Sequence, residues 1–349
     1  MVKIKRKDKS VRNTDVIPFE MSDEYYIQFV KDNTFISEKS KVTYTTNLRR
    51  LVFLCNKKIH HIIFYPEPAA KIIKEHVRSL DSQKSLITAL LVVMRSSDVK
   101  FAYPKIYNAW YKHFKSVKKD LINRFLEQKP TDKHIASFVL WEDIIKARDS
   151  IKDKGGKEYL LLALTTMIPP RRQMDWCKVR VYTDSNDKPS HNTHNLIHLG
   201  YKTPFVSLVH YKTAKYYKRW FKSLPENLLG VLNESVRAQP RQWLFTMRDG
   251  KPYSTEKSFT RWSNGVLKRH LGNEHASMNT LRHSFADYIR RTQPDLSLKE
   301  KSAIARDMGH NIFQSEGYAH RFDLTTKDKD NTMPFIKSIK VPRTNALRM

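Results

Sequence analysis

Four features are scarce in this 349-residue sequence, and each scarcity argues against a class of protein. The two cysteines, Cys55 and Cys177, are too few for a disulfide framework or a zinc ribbon. No stretch approaches the 18 apolar residues of a membrane-spanning helix, and the basic start of the chain lacks the apolar run of a signal peptide. The nine glycines form no loop ending in Gly-Lys-Ser/Thr, which argues against nucleotide hydrolysis. Acidic side chains are also scarce, at 35 against 64 basic ones.

The resulting net charge of +29, with a pI near 9.9, favours a polyanionic partner and above all nucleic acid. A solvated basic surface is the alternative, but the excess charge is spread along the chain instead of being confined to one tail. With 40% hydrophobic and 11% aromatic residues, the chain is expected to form two folded domains. We expect an intracellular protein that has no membrane contact, in a reducing compartment where both cysteines are ordinary core residues.

The candidate catalytic side chains are concentrated in one stretch, which runs from Asn279 to Tyr318. Arg282 lies in an amphipathic helical pattern, and His310 follows a Met-Gly turn. A guanidinium can bind two oxygens of a phosphodiester as a fork. An imidazole can donate a hydrogen bond to the same oxygens, and a phenol such as Tyr318 is a suitable nucleophile. The pattern therefore favours phosphoryl transfer, although an ordinary helix with buried apolar residues would explain its first part equally well.

These residues resemble two motifs of the tyrosine recombinase (phage integrase) family, His-x-x-Arg-His and Leu-Gly-His followed by Tyr. The resemblance covers about residues 20 to 325. It implies a mainly α protein with a small β-sheet, in which a helical N-terminal core-binding domain precedes an α+β catalytic domain. It also implies site-specific cutting and rejoining of double-stranded DNA through a 3′-phosphotyrosyl intermediate, by a homo-oligomer that is a tetramer on DNA. No metal or cofactor is implied.

The same resemblance supplies the remaining catalytic residues. Arg172, with Asp175 three positions on to orient it, is similar to the family's Arg-x-x-Glu/Asp motif, whereas Arg171 would place a methionine where the acid belongs. Pro169-Pro170 stands where a glycine is usual, which is similar to diverged recombinases of eukaryotic and viral mobile elements. Lys212 is similar to the family's catalytic lysine at a hairpin tip and would protonate the leaving 5′ oxygen, with Lys215 as second choice.

One position departs from the pattern, because Asn279 stands where the family has the first histidine. The pKa of a phenol in water is about 10, so some group must accept or disperse its proton, and an amide cannot accept one at neutral pH. Either Asn279 only positions the nucleophile, which we favour at this point, or His283 substitutes. Two other functions stay open: a type IB topoisomerase-like enzyme, and a catalytically inactive DNA-binding regulator of the same fold.

The expected organisation has five parts. Residues 1–18 form a basic arm, 19–119 a helical core-binding (SAM-like) DNA-binding domain, and 120–136 a linker. Residues 137–325 form the catalytic domain, and 326–349 a C-terminal tail. The apolar residues at 334–336 and 339–341 either anchor this tail on a neighbouring protomer or fold back on their own domain. Strands are predicted at 179–182, 195–199, 205–211 and 219–221. The candidate phosphate contacts are Lys39, Lys41, Arg49, Arg50, Lys84, Lys118 and Lys119.

A metal site is a weaker possibility. His191, His194 and His198 are closely spaced, but they fall in a polar segment without cysteine or an obvious carboxylate partner. We therefore expect none of the three to hold a metal.

Overall fold

The computed structural model describes residues 20–187, 189 and 193–318, and the chain divides into two compact units between Glu127 and Gln128. The fold is mainly α-helical with a single four-stranded sheet in the described part, which confirms the predicted fold class. The basic arm, His191 and the tail at 326–349 lie outside the described residues. The division falls within the predicted linker, 120–136.

The first unit contains seven helices in its described part. They are α1 Asp23–Asp32, α2 Glu38–Cys55, α3 Ile59–Phe64, α4 Pro66–His76, α5 Leu80–Ser96, α6 Val99–Ala102 and α7 Pro104–Leu126.

Local sequence explains where these helices begin. The hydroxyls of Ser22 and Ser37 accept hydrogen bonds from backbone N–H groups in the first turns of α1 and α2. Helix α5 is buried along most of its length, and Trp110 of α7 is fully buried and donates from its indole to the Ile63 carbonyl over 3.0 Å. Cys55 belongs to this core, as predicted.

The first half of the predicted linker, 120–136, is helical in the structure. Helix α7 continues through it to Leu126, because Tyr111, Phe114 and Val117 recur at helical spacing and pack against the core of the first unit. The break occurs only near Pro130, ahead of a new helix whose N-cap is Thr131.

The second unit contains ten helices and four strands in its described part. The helices are α8 Asp132–Ser137, α9 Trp141–Asp149, α10 Gly156–Thr166, α11 Gln173–Trp176, α12 Ala214–Tyr217, α13 Glu226–Ala238, α14 Glu256–Leu271, α15 Met278–Thr292, α16 Leu298–Asp307 and α17 Ile312–Glu316. The strands are β1 Val179–Tyr182, β2 Asn195–His198, β3 Phe205–Leu208 and β4 Trp220–Ser223.

The sheet has the order β1-β2-β3-β4, with β1 parallel to β2 and the other neighbours antiparallel. Its inner face carries Val179, Val181, Ile197, Val206 and Leu208 into the core that contains α10 and α15. All four predicted strands are present, although β3 ends three residues earlier than expected. The chain between β3 and β4 is not a tight turn, because it includes the short helix α12.

Candidate active site

The site is built on α15, whose start is fixed by a capping box between Ser277 and Thr280. Arg282 lies in the second turn of this helix and has no exposed surface. Its Nη1 donates to the carbonyls of Pro170, over 3.1 Å, and Met308, over 2.9 Å, and its Nη2 donates to the ring of His310. A buried guanidinium held by backbone carbonyls is fixed in direction, which a binding group for an anion requires.

A sharp turn after α16 presents His310. Gly309 has a φ of +71°, and a Cβ there would lie 3.2 Å from Nη2 of Arg171 and 3.4 Å from Nη1 of Arg172. Glycine therefore serves two purposes at this position: it adopts the left-handed backbone, and it lets two arginines approach. The backbone N–H of His310 donates to the Ala305 carbonyl over 2.8 Å, which closes the turn.

The His310 ring is almost completely buried, at 1% exposed. Burial lowers the pKa of His310 to about 2, and the charges of Arg282 and Arg172 act in the same direction. The ring is therefore neutral at physiological pH. Since a guanidinium only donates, the ring nitrogen that faces Arg282 is unprotonated and the other carries the hydrogen. His310 can thus donate one hydrogen bond as a neutral group.

Tyr318 follows α17, and its ring lies between two imidazoles. Its centroid is 4.2 Å from that of His283, with the planes nearly parallel at 16°, and 4.5 Å from that of His310. The Arg282 guanidinium carbon is 5.4 Å from the centre of the same ring. The structure thus brings together three of the predicted site residues, Arg282, His310 and Tyr318.

Electrostatics also link Arg282 to the tyrosine. Burial, with the nearby charge of Arg172, lowers the pKa of the Arg282 guanidinium to about 10. Its interactions with Tyr318, which include a side-chain hydrogen bond, oppose that shift, as does Asp175. Arg282 therefore stays charged at neutral pH.

The predicted pairing of Asp175 with Arg172 was wrong. Asp175 forms its ion pair with Arg171, between Nε and Oδ2 at 3.1 Å, and both side chains are fully buried. The error lies in the backbone: Arg172 is the N-cap of α11 and has an extended conformation, so it does not project from the helix that carries Asp175. Arg172 is half-buried and donates instead to the Gly309 carbonyl over 3.1 Å.

Arg171 has a structural environment that the sequence did not reveal. Its guanidinium carbon lies 4.4 Å from the ring centre of Trp220 and 4.8 Å from that of Tyr211, and its Nη1 donates to the Asp307 carbonyl over 2.7 Å. Burial lowers the pKa of Arg171 and raises that of Asp175. Arg172, not Arg171, is therefore the partly exposed arginine of this pair.

The predicted general acids, Lys212 and Lys215, are both exposed in the connection between β3 and β4. Between them, Thr213 donates from its hydroxyl to the Gly309 carbonyl over 3.1 Å. The lysine-bearing connection is therefore fastened to the turn that carries His310.

Of the two candidates for handling the phenol proton, His283 is the one that contacts Tyr318. Its Nδ1 donates to the Tyr318 carbonyl over 3.1 Å, and its ring also lies 4.6 Å from that of His134. Asn279 is exposed at the start of α15, and its side chain makes no hydrogen bond with the part of the chain that the structure describes. The sequence-based preference for Asn279 finds no support in these contacts.

Sequence analysis also missed two residues that hold the tyrosine segment and the histidine turn. Gln128 donates from Nε2 to the Glu316 carbonyl over 3.1 Å, and Asp307 ends α16 immediately before Met308. For Asp307, the only sequence signal is its position next to the Met-Gly-His motif. The contact of Gln128 spans 188 positions and leaves no local pattern.

The other predicted residues lie elsewhere. His194 bonds to the Tyr182 hydroxyl over 2.8 Å, and His198 contacts the Asp187 carbonyl over 3.1 Å. Within residues 20–187, 189 and 193–318, no three metal-ligating side chains are grouped, and no helix has the length and apolar character needed to cross a bilayer. The predicted phosphate contacts lie in the first unit, exposed on α2 (Lys39, Arg49, Arg50) and α7 (Lys118, Lys119), and partly buried on α2 (Lys41) and α5 (Lys84).

No protein-family model matches the chain, and no curated protein matches it significantly. Among solved structures, the crystal structure of XerA recombinase is similar to this chain at 12% sequence identity and a TM-score of 0.38. The match covers 86% of this chain and 95% of that one.

Proposed function

We propose that this protein is a DNA strand transferase of the recombinase kind, which cuts and rejoins DNA through a covalent bond to Tyr318. The observation that carries the proposal is the position of the Tyr318 ring, against Arg282 and between two imidazoles. A structural tyrosine in a core would not require a buried arginine and a neutral, buried histidine beside it. These groups are the ones that attack on a phosphodiester uses.

In the proposed step, the Tyr318 oxygen attacks the phosphorus and the bond from phosphorus to the 5′ oxygen breaks. This leaves a 3′-phosphotyrosyl bond and a 5′ hydroxyl. Arg282 and Arg172 bind the non-bridging oxygens, and neutral His310 donates a hydrogen bond to one of them. Lys212, or alternatively Lys215, gives a proton to the departing 5′ oxygen. Attack by the 5′ hydroxyl of a partner strand reverses the chemistry and rejoins the DNA.

A buried donor supports an anion as the ligand of Arg282. Nε of Arg282 has no hydrogen-bond acceptor among the described residues. A buried donor without an acceptor costs about 1–3 kcal/mol, so such groups are rare unless they serve a ligand. Phosphate oxygens next to Arg282 would satisfy such donors.

His283 is the better candidate for accepting the phenol proton. Because a carbonyl only accepts hydrogen bonds, the Nδ1 that meets the Tyr318 carbonyl carries the hydrogen. In the neutral ring the lone pair is then on Nε2, where a proton can be accepted. We therefore assign this role to His283.

Access to the arginine requires a movement. Arg282 has no exposed surface, and the tyrosine ring covers it. A phosphate can therefore reach Arg282 only after the Tyr318 ring is displaced. We propose that DNA binding displaces the ring and that the side chain then returns as the nucleophile.

The charge of +29 and the exposed lysines and arginines of α2 and α7 support duplex DNA as the partner. Pairing of two duplexes by a tetramer is part of the same proposal. A gel assay for synapsis of two duplexes separates a recombinase from a topoisomerase-like enzyme, which acts on one duplex.

The decisive experiment is covalent trapping. The full chain is incubated with a library of nicked DNA duplexes that carry a randomised segment, and adducts that survive SDS are recovered and mapped by mass spectrometry. We expect an adduct on Tyr318 that Tyr318→Phe abolishes and that Tyr201→Phe, a change at an exposed tyrosine, leaves intact. An adduct that persists in Tyr318→Phe, or its absence from the wild-type protein, would contradict the proposal.

A further inference from the structure

Asp307 makes more contacts than the last residue of a helix needs, and these contacts join separate parts of the site. Its Oδ1 accepts from the Trp220 indole over 3.1 Å, and its Oδ2 forms an ion pair with Lys222. Both partners lie on β4. Its backbone carbonyl accepts from Nη1 of Arg171 over 2.7 Å. One residue therefore fastens the turn before His310 to the sheet.

Strand β4 forms one side of the connection that carries Lys212 and Lys215. This connection meets the same turn a second time, where Thr213 donates to the Gly309 carbonyl over 3.1 Å. The two attachments lie at the base and near the tip of the connection. Together they fix where the lysines can stand relative to His310.

We infer that Asp307 is a positioning residue for the general acid: through Lys222 and Trp220 it holds the lysine-bearing connection in register with the phosphate-binding groups. This inference rests on the proposed function. The Asp307–Lys222 pair is only partly exposed, at 28% and 24%. Solvent therefore screens it less than a surface pair.

The chemistry of the leaving group makes the inference testable. With an ordinary phosphodiester, the 5′ oxygen leaves with a proton from the lysine ammonium, which becomes a neutral amine. When sulfur replaces this bridging oxygen, the bond from phosphorus to sulfur breaks and the thiolate leaves without a proton, because its pKa is far below that of an alcohol. A defect confined to the general acid is therefore rescued by sulfur.

The experiment measures single-turnover adduct formation on the duplex recovered by covalent trapping, made with either oxygen or sulfur at the cleaved bond. The variants are Asp307→Asn and Lys222→Met, which break the ion pair at nearly constant volume, with Lys212→Ala and Lys215→Ala as references. Lys146→Met is the matched control, since it breaks an exposed pair with Asp143 on α9. Thermal unfolding of each variant checks that it is folded.

We expect Asp307→Asn and Lys222→Met to slow cleavage of the oxygen substrate by about 10- to 100-fold, the cost of a small misplacement. Both should cleave the sulfur substrate at close to the wild-type rate. The lysine that is rescued most strongly is the general acid.

Two other results are informative. If the lysine reference is rescued by sulfur but Asp307→Asn and Lys222→Met are slow on both substrates, or as fast as wild type on both, the inference is wrong while the proposed function stands. If wild-type protein forms no adduct with either substrate, the proposed function itself fails.

Discussion

The buried pair of Arg171 and Asp175 offers a quantitative test of which arginine is structural. Asp175→Leu would leave the Arg171 guanidinium charged and without its carboxylate at 0% exposure. Breaking such a pair typically costs about 3–5 kcal/mol, whereas replacing both partners with apolar side chains is often close to neutral. The Arg171→Met/Asp175→Leu double variant also loses two cation–π contacts, worth roughly 0.5–2 kcal/mol each.

We therefore expect the double variant to be more stable than the Asp175→Leu single variant. The measurement is urea unfolding followed by tryptophan fluorescence, in which Trp176 and Trp220 report on the second unit. Asp81→Leu, which breaks the largely exposed pair of Asp81 with Arg124, is the control and should cost no more than about 1 kcal/mol.

The same series tests the functional assignment. Arg172→Ala removes one hydrogen bond to the Gly309 carbonyl, so it should cost only about 1.5 kcal/mol of stability while greatly slowing adduct formation. The single variant Arg171→Met completes the comparison. If the loss of unfolding free energy in the double variant equals the sum of the losses in Arg171→Met and Asp175→Leu, the two side chains are not coupled and the reasoning fails. If Arg172→Ala forms adducts normally, Arg172 is not a phosphate ligand.

Three further predictions concern the turn and the tyrosine. The pKa of His310 is about 6.5 in the unfolded state and about 2 in the folded state. Below pH 6.5 only the unfolded state binds the proton, so the free energy of unfolding falls by up to about 1.4 kcal/mol for each unit by which the pH is lowered. In urea unfolding, the free energy of unfolding should therefore fall less between pH 6.5 and 5.5 in His310→Gln than in the wild-type protein. An equal fall in both proteins would contradict a neutral His310 ring in the folded state. Gly309→Ala should destabilise by at least about 1–2 kcal/mol in thermal unfolding because of its positive φ, whereas Gly230→Ala in α13, with open space around it, should stabilise; equal effects would contradict this. His283→Gln should slow adduct formation by about 100-fold or more and Asn279→Ala by less than about twofold, and an undiminished rate for His283→Gln excludes it as the base.

Sequence alone predicted the parts of the fold that depend on local patterns. Strand β1, in which buried residues alternate with more exposed ones, was predicted with the bounds that the structure gives it. The resemblance of the stretch from Asn279 to Tyr318 to the motifs of tyrosine recombinases led us to expect that Arg282, His310 and Tyr318 would lie together. Whether they catalyse the proposed reaction stays a prediction.

What sequence could not predict depends on backbone direction and on distant contacts. Spacing alone assigned Asp175 to Arg172. Helix α11 begins only at Gln173, after Arg172, and Asp175 forms its ion pair with Arg171. The contacts of Asp307 with β4 span 85 and 87 positions. A pattern of residue types within one segment contains no information about such pairs.

The carbonyls at the end of α16 explain why three arginines can share one small volume. Successive carbonyls of Asp307, Met308 and Gly309 accept from Arg171, Arg282 and Arg172 in turn. These carbonyls belong to the C-terminal end of a helix, where the partial charge is negative and cations are stabilised. They reduce the repulsion among the guanidiniums but do not neutralise them, whereas three carboxylates would. Because Asp175 neutralises only Arg171, the cluster keeps the positive charges of Arg282 and Arg172, and this is the physical basis for proposing a phosphodiester as its ligand.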